Sequence, residues 1–169
     1  LASFSGYSMP INFSKGIIKE HLHTRSAAGI FDVSHMGKML ISCTNTNIDK
    51  LELVIPQNLR KLKTYNSMYT FILNNKGGIV DDLIISKVNI DDYDYFFLVY
   101  NAARKKIDQE IISNLVSDVD ILFLNATSFT EEISCKNTFF FSFAIIFSYY
   151  FLSLSSSAPP INLSSLLNT

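Results

Sequence analysis

A glycine turn that leads into a carboxylate-bearing strand is the sequence feature that most constrains the fold. Residues 74–85 read Asn-Asn-Lys-Gly-Gly-Ile-Val-Asp-Asp-Leu-Ile-Ile. The two glycines supply the positive φ angles that a tight connection needs, and the β-branched and aliphatic residues after them favour a strand. The sequence therefore predicts a β-hairpin, with one strand over residues 67–73 and the other over residues 78–88.

The two aspartates of the second strand lie on opposite faces, because side chains alternate along a strand. The other residues on both faces are apolar, so at least one of Asp81 and Asp82 is expected in or beside a buried surface. A buried carboxylate is costly unless it is paired, hydrogen-bonded or protonated. One interpretation is a functional carboxylate; the alternative is that both aspartates cap a turn at the exposed end of the strand.

The remaining apolar pattern predicts an α+β fold, in which an antiparallel β-meander carries packed helices. Helices are predicted over residues 15–28, with Ser14 as the N-cap, and over residues 47–55 and 101–116. Further strands are predicted over residues 38–43, 93–100 and 119–124. The last helix is expected to bury the stripe Ile107, Ile111, Ile112 and Leu115.

Charge and ligand spacing exclude several classes of function. The formal net charge is −1, with a pI near 6.3, which does not indicate a nucleic-acid partner. Cys43 and Cys135 form no CxxC pair, and we expect both to be inert. His21 and His23 point about 200° apart on a helix. We therefore predict no metal site.

The composition changes after Lys136, beyond which no residue is charged. The aromatic-rich run at residues 139–154 is shorter than the ~20 residues that span a membrane, and it lacks a pair of flanking basic residues because nothing after Lys136 is charged. It could be a marginal membrane anchor, a buried strand pair or sequence foreign to the fold; we favour the third. We predict a domain over residues 1–125 and a divergent uncharged tail over residues 126–169.

Five ordered motifs resemble the N-terminal region of aminomethyltransferase, the T-protein of the glycine cleavage system. They are Gly-Tyr-Ser-Met-Pro (6–10), Glu-His-Leu-His-Thr-Arg (20–25), Gly-Ile-Phe-Asp-Val-Ser-His-Met-Gly (29–37), Gly-Gly-Ile-Val-Asp-Asp-Leu-Ile (77–84) and Val-Tyr-Asn-Ala-Ala (99–103). The resemblance implies the folate-binding fold of that family. It also implies transfer of a one-carbon unit from the aminomethyl-lipoyl arm of the H-protein to tetrahydrofolate, with release of ammonia.

The resemblance also implies site residues. Asp82 matches the key acidic residue of the family, which is held near the folate to position or activate its reacting nitrogen. Tyr69 and Asn101 match folate-contacting positions, and Met36 lies in a segment that lines the same channel. For a eukaryote the family implies the mitochondrial matrix, although no transit peptide is visible.

The sequence departs from the family after Asn125, where a Gln-Gly-Pro motif is expected and is not found. We expect a truncated or mis-spliced gene product that is an inactive fragment by itself. Two alternatives stay open at this point. One is a non-catalytic folate-binding relative of the iron–sulfur assembly factor type, and the other is the folate domain of a sarcosine or dimethylglycine dehydrogenase.

Overall fold

The computed structural model describes residues 1–27 and 33–124, which fall into two compact units. In the first unit, β1 (Ala2–Phe4) pairs antiparallel with β2 (Tyr7–Met9), and α1 (Ile17–Ser26) follows. The hairpin turn has φ angles of 49° at Ser5 and 84° at Gly6, the two positive values that a tight two-residue turn requires. The prediction of Ser14 as the helix N-cap is wrong: the N-cap is Gly16, whose φ is 79°.

The second unit is a five-stranded antiparallel sheet with helices, which confirms the predicted fold class. Its helices and strands are β3 (Gly37–Ser42), α2 (Asn45–Leu51), β4 (Ser67–Leu73), β5 (Ile79–Ile90), β6 (Tyr93–Tyr100), α3 (Lys105–Ser113) and β7 (Ile121–Phe123). The strands run in the order β4-β5-β6-β3-β7, so that β4, β5 and β6 form the predicted meander.

One face of this sheet holds the main hydrophobic core. Strand residues such as Met39, Ile85 and Leu98 pack there against α2 and α3. Helix α2 begins two residues earlier than predicted because Thr44 caps it: the Thr44 side chain accepts a hydrogen bond from the Asn47 backbone N–H. The core consists of Met39, Ile41, Ile48, Leu51, Ile55, Leu59, Leu62, Ile72, Leu83, Ile85, Phe96, Leu98, Tyr100, Ile112 and Val116.

The buried stripe of α3 differs from the predicted one. Ile107 is 40% exposed, whereas the neighbouring Asp108 is fully buried, one helical turn before the buried Ile112. The prediction that Ile107 lies on the inner face is therefore wrong. The helix is rotated so that a carboxylate, and not an aliphatic side chain, occupies its inner face near the end of β6.

The close approach of β3 to β6 requires a glycine at position 37. Gly37 is paired with Tyr100, and a Cβ built on Gly37 would lie only 2.1 Å from Cε2 of the Tyr100 ring. We therefore expect Gly37→Ala to lower the free energy of unfolding by about 1–3 kcal/mol, since the buried Tyr100 ring has to move. Urea denaturation measures this loss. Asn75→Ala in the exposed glycine turn is the control, and equal stability of the two variants would contradict the steric explanation.

Helix α1 ends at Ser26, with Ala27 as its C-cap, so the prediction that it continues to residue 28 is wrong. Two further predictions lie outside the described residues. These are the domain boundary at 125/126 and the nature of the run at 139–154, which stay predictions. Among the helices within residues 1–27 and 33–124, none has the length and apolar character needed to cross a membrane.

Candidate functional site

The two aspartates of β5 lie in different surroundings, as the alternation along the strand requires. Asp81 points to the core face and is only 9% exposed, whereas Asp82 points to the opposite face and is half-buried. The carboxylate that the sequence expects in a buried surface is thus Asp81. Asp82 is the one that stays accessible to a ligand.

Asn101 connects the two carboxylates at the point where β6 ends. Its Nδ2 donates to Asp81 Oδ1 at 3.0 Å and to Asp82 Oδ1 at 3.1 Å, and it also lies 3.2 Å from the Asp82 backbone oxygen. The register of the sheet produces this contact, because Leu83 pairs with Tyr100 and Asn101 follows directly. A single amide therefore orients a buried carboxylate and an accessible one.

An exposed aromatic side chain lies beside Asp82. Tyr69 on β4 is 56% exposed, and its hydroxyl hydrogen-bonds with the Asp82 carboxylate, which is the main reason that the Tyr69 pKa is raised. Phe71 pairs with Asp82 across the two strands. The rings of Tyr69 and Phe71 pack edge to face, with centroids 5.6 Å apart and planes at 77°. The face that carries Asp82 thus has an aromatic wall.

A third carboxylate, which the sequence did not reveal, lies behind this site. Asp108 on α3 is fully buried and lies beside Asp81. The pKa of Asp108 is raised to about 8, mainly by burial and also by the neighbouring Asp81 carboxylate, while the charge of Arg104 opposes the shift. The available signal in the sequence was the position of Asp108, which lies one helical turn before Ile112 on the same side of the predicted helix.

Met36 is half-buried and immediately precedes β3. Because Gly37 pairs with Tyr100, Met36 lies at the end of β3 that adjoins Asn101. The Met36 backbone oxygen accepts a hydrogen bond from Lys38 Nζ at 3.3 Å. The structure therefore brings Tyr69, Asp82 and Asn101 together and places Met36 at the same end of the sheet.

This arrangement is suited to a flat ligand that carries N–H groups. The Asp82 carboxylate can accept hydrogen bonds or a proton, its orientation is fixed by Asn101, and the Tyr69 ring offers a surface for stacking. No group of His, Cys, Asp and Glu within the described part of the chain is arranged to hold a metal ion. The side chains of this site provide a carboxylate, Asp82, beside an aromatic ring, Tyr69.

Comparisons with known proteins agree in the family they indicate. The sequence model of the family described as "GCVT N-terminal domain" matches residues 1–136. The chain is 37% identical over 129 residues to the aminomethyltransferase of Prochlorococcus marinus, covering 75% of this chain and 34% of that protein. It is 41% identical over 118 residues to the aminomethyltransferase of a Nostoc species, covering 68% of this chain and 31% of that protein.

The fold is also similar to a solved structure. The crystal structure of glycine cleavage system aminomethyltransferase T from Bartonella henselae superimposes with a TM-score of 0.62 at 32% sequence identity. The match covers 73% of this chain and 33% of that one. This chain therefore spans about a third of the length of the relatives that it matches.

Proposed function

Because this chain belongs to the GCVT N-terminal domain family, we propose that it is the N-terminal, folate-binding part of an aminomethyltransferase of the glycine cleavage system. The observation that carries this proposal is the accessible Asp82 carboxylate, held by Asn101 and Tyr69 at one end of the sheet. The substrate of the complete enzyme would be tetrahydrofolate, and the donor would be an aminomethyl group on the lipoyl arm of the H-protein.

Tetrahydrofolate fits the chemistry of this site. Its pterin ring is flat and carries N–H groups on its edge, which suits an aromatic wall with one anchoring carboxylate. Tyr69 would offer the stacking surface, and Asp82 would accept hydrogen bonds from the ring. Asn101 would keep the carboxylate oriented by donating to its Oδ1, and Met36 would line the apolar side of the same channel.

The reaction needs a group that can hold a proton near the folate nitrogens. Two nitrogens of tetrahydrofolate bond to the transferred carbon, while the bonds from that carbon to the lipoyl sulfur and to the amino nitrogen break. The two N–H protons end on the sulfur and on the departing ammonia. We assign to Asp82 the positioning of the reacting nitrogen and the acceptance of its proton, a role that suits a carboxylate partly removed from water.

The remainder of the folate site and the surface for the H-protein would come from the other two thirds of the complete enzyme. The chain alone is accordingly proposed to be inactive, although it carries the Asp82 carboxylate. A chimera tests this function directly: residues 1–124 replace the corresponding segment of the Bartonella henselae enzyme. We expect the chimera to form methylenetetrahydrofolate from aminomethylated H-protein. A correctly folded chimera without activity would contradict the proposal.

Tyr69→Phe is expected to weaken folate binding modestly. The substitution keeps the ring and removes the hydroxyl that hydrogen-bonds with Asp82, a loss that corresponds to about two- to tenfold in affinity. Calorimetry of the chimera with 5-formyltetrahydrofolate measures the change. Tyr93→Phe, at an exposed position by the turn between β5 and β6, is the control. Equal affinities of the two variants would exclude a contribution from the Tyr69 hydroxyl.

The mitochondrial matrix is the proposed location if the chain comes from a eukaryote, because the glycine cleavage system of eukaryotes acts there. Fractionation of the source cells, with detection by an antibody against residues 34–124, tests this location. Recovery of the protein with the matrix marker is expected, and recovery outside mitochondria would contradict it.

A further inference from the structure

Asp81 and Asp108 form a buried pair that has no part in the proton transfer proposed for Asp82. Several carboxylate oxygens of this pair lack a hydrogen-bond donor in the part of the chain that the structure describes. Asp108 is fully buried, and neither of its carboxylate oxygens receives an N–H or O–H from any described residue. The same is true of Asp81 Oδ2, whereas Asp81 Oδ1 accepts from Asn101. Buried acceptors without donors are rare in folded proteins, because each costs the free energy of lost hydration.

A proton resolves this arrangement. Two carboxylates cannot hydrogen-bond with each other when both are ionised, because each then has only acceptors. One proton between them supplies the missing donor and removes the repulsion between two buried charges. Arg104 does not serve instead, since its Nε has no acceptor within the described chain and no ion pair joins it to Asp108 there.

We propose that Asp81 and Asp108 share a single proton at neutral pH, and that Asp108 thereby acts as a positioning residue for Asp82. The shared proton holds Asp81 in place through its Oδ2, which leaves Oδ1 to accept from Asn101. The same Asn101 amide then donates to the Asp82 carboxylate. Loss of the proton would drive the two buried carboxylates apart and release Asn101 from its position. The consequence for folate, but not the shared proton itself, rests on the function proposed above.

Among the described residues, the charged and titratable groups around the pair are Asp82 on β5, Tyr100 on β6 and Arg104 before α3. Asp82 adds a further negative charge, and Arg104 offsets it in part. The pKa of Tyr100 is raised to about 12, mainly by burial, so this hydroxyl stays protonated over the range of interest; it accepts a hydrogen bond from Gln109 Nε2. The charge that changes between pH 7 and pH 9 is therefore that of the carboxyl pair.

Infrared spectroscopy of the full chain tests the shared proton without reference to any ligand. At pH 7 we expect the C=O stretching band of a protonated carboxyl group, which shifts on labelling with ¹³C-aspartate and disappears as the pH is raised through about 8. Asp108→Asn and Asp81→Asn should each abolish the band, whereas Asp118→Asn, at an exposed position, should keep it. Absence of the band in the unsubstituted chain at pH 7 would overturn the proposal, even if neither variant of the pair folds.

The positioning role has its own readout in the pH profile of folate binding by the chimera. The affinity for 5-formyltetrahydrofolate should fall about tenfold between pH 7 and pH 9 as the proton is lost. Asp108→Asn should flatten this profile, because its amide donates to Asp81 at every pH. An unchanged profile in Asp108→Asn would overturn the positioning role. A protonated-carboxyl band without folate binding at any pH would instead contradict the proposed function and support the shared proton.

Discussion

Asp82→Asn is expected to lower kcat/KM of the chimera for methylenetetrahydrofolate formation by about 10²- to 10⁴-fold, the range that a positioned proton-transfer group contributes. The asparagine side chain has nearly the same shape, but it cannot accept a proton or carry the negative charge. Its amide would also face the Asn101 amide that now donates to the Asp82 carboxylate. We therefore expect Asp82→Asn to lose proton transfer and the correct orientation of the side chain while retaining the fold.

Asp92→Asn is the matched control for this variant. Asp92 is an exposed carboxylate in the turn between β5 and β6, and its φ of 68° is one that asparagine readily adopts. The same isosteric change there should leave kcat/KM within a factor of two of the unsubstituted chimera. If Asp82→Asn behaves like Asp92→Asn, then Asp82 has no part in the reaction.

Asn101→Asp should have the largest effect on stability, with a loss of about 3–5 kcal/mol at pH 7. The change alters one amide to a carboxylate of the same size, yet it replaces the donor between Asp81 and Asp82 with a further acceptor and a negative charge. Urea denaturation measures the free energy of unfolding. Acidification should restore part of the loss, because a carboxyl group whose pKa is raised by burial and like charges regains its proton first.

Asn75→Asp provides the comparison for Asn101→Asp. Asn75 lies in the exposed turn between β4 and β5, where an added charge remains in water and should change stability by less than about 0.5 kcal/mol. A stability loss in Asn101→Asp that is equally small, or that does not shrink on acidification, would show that the Asn101 amide is not a necessary donor to the two carboxylates.

The sequence predicts most of the sheet because the signals for strands are local. The glycine turn, the β-branched run after it and the alternation of faces are sufficient to predict β4, β5, β6 and the separation of Asp81 from Asp82. Helix α3, which lies later in the chain, determines which face of the sheet is more deeply buried at Asp81 and Asp82. The sequence alone therefore could not decide which aspartate is buried.

Asp108 illustrates why part of the site could not be predicted. A helical stripe is normally recognised from apolar residues, and Ile107 satisfied that pattern while Asp108 did not. The structure buries the aspartate because a second carboxyl group, Asp81, lies opposite it and can share a proton. This proximity of Asp81 and Asp108 exists only once β5 and α3 have packed together, so the sequence of α3 alone does not reveal it. The convergence of Tyr69 and Asn101 on Asp82 likewise depends on strand register. The family resemblance implied these three residues, whereas no local sequence pattern indicated that they lie together.

We propose that the Asp82 carboxylate, held by Asn101, anchors the folate ring. The most direct measurement is an NMR titration of the chimera with 5-formyltetrahydrofolate, in which the carboxyl carbons of aspartate and the side-chain amides of asparagine are labelled. We predict that the signals of Asp82 and Asn101 shift on binding, whereas that of Asp49, which forms a surface ion pair with Arg60, does not. Saturable binding that leaves the signals of Asp82 and Asn101 unchanged would contradict the claim.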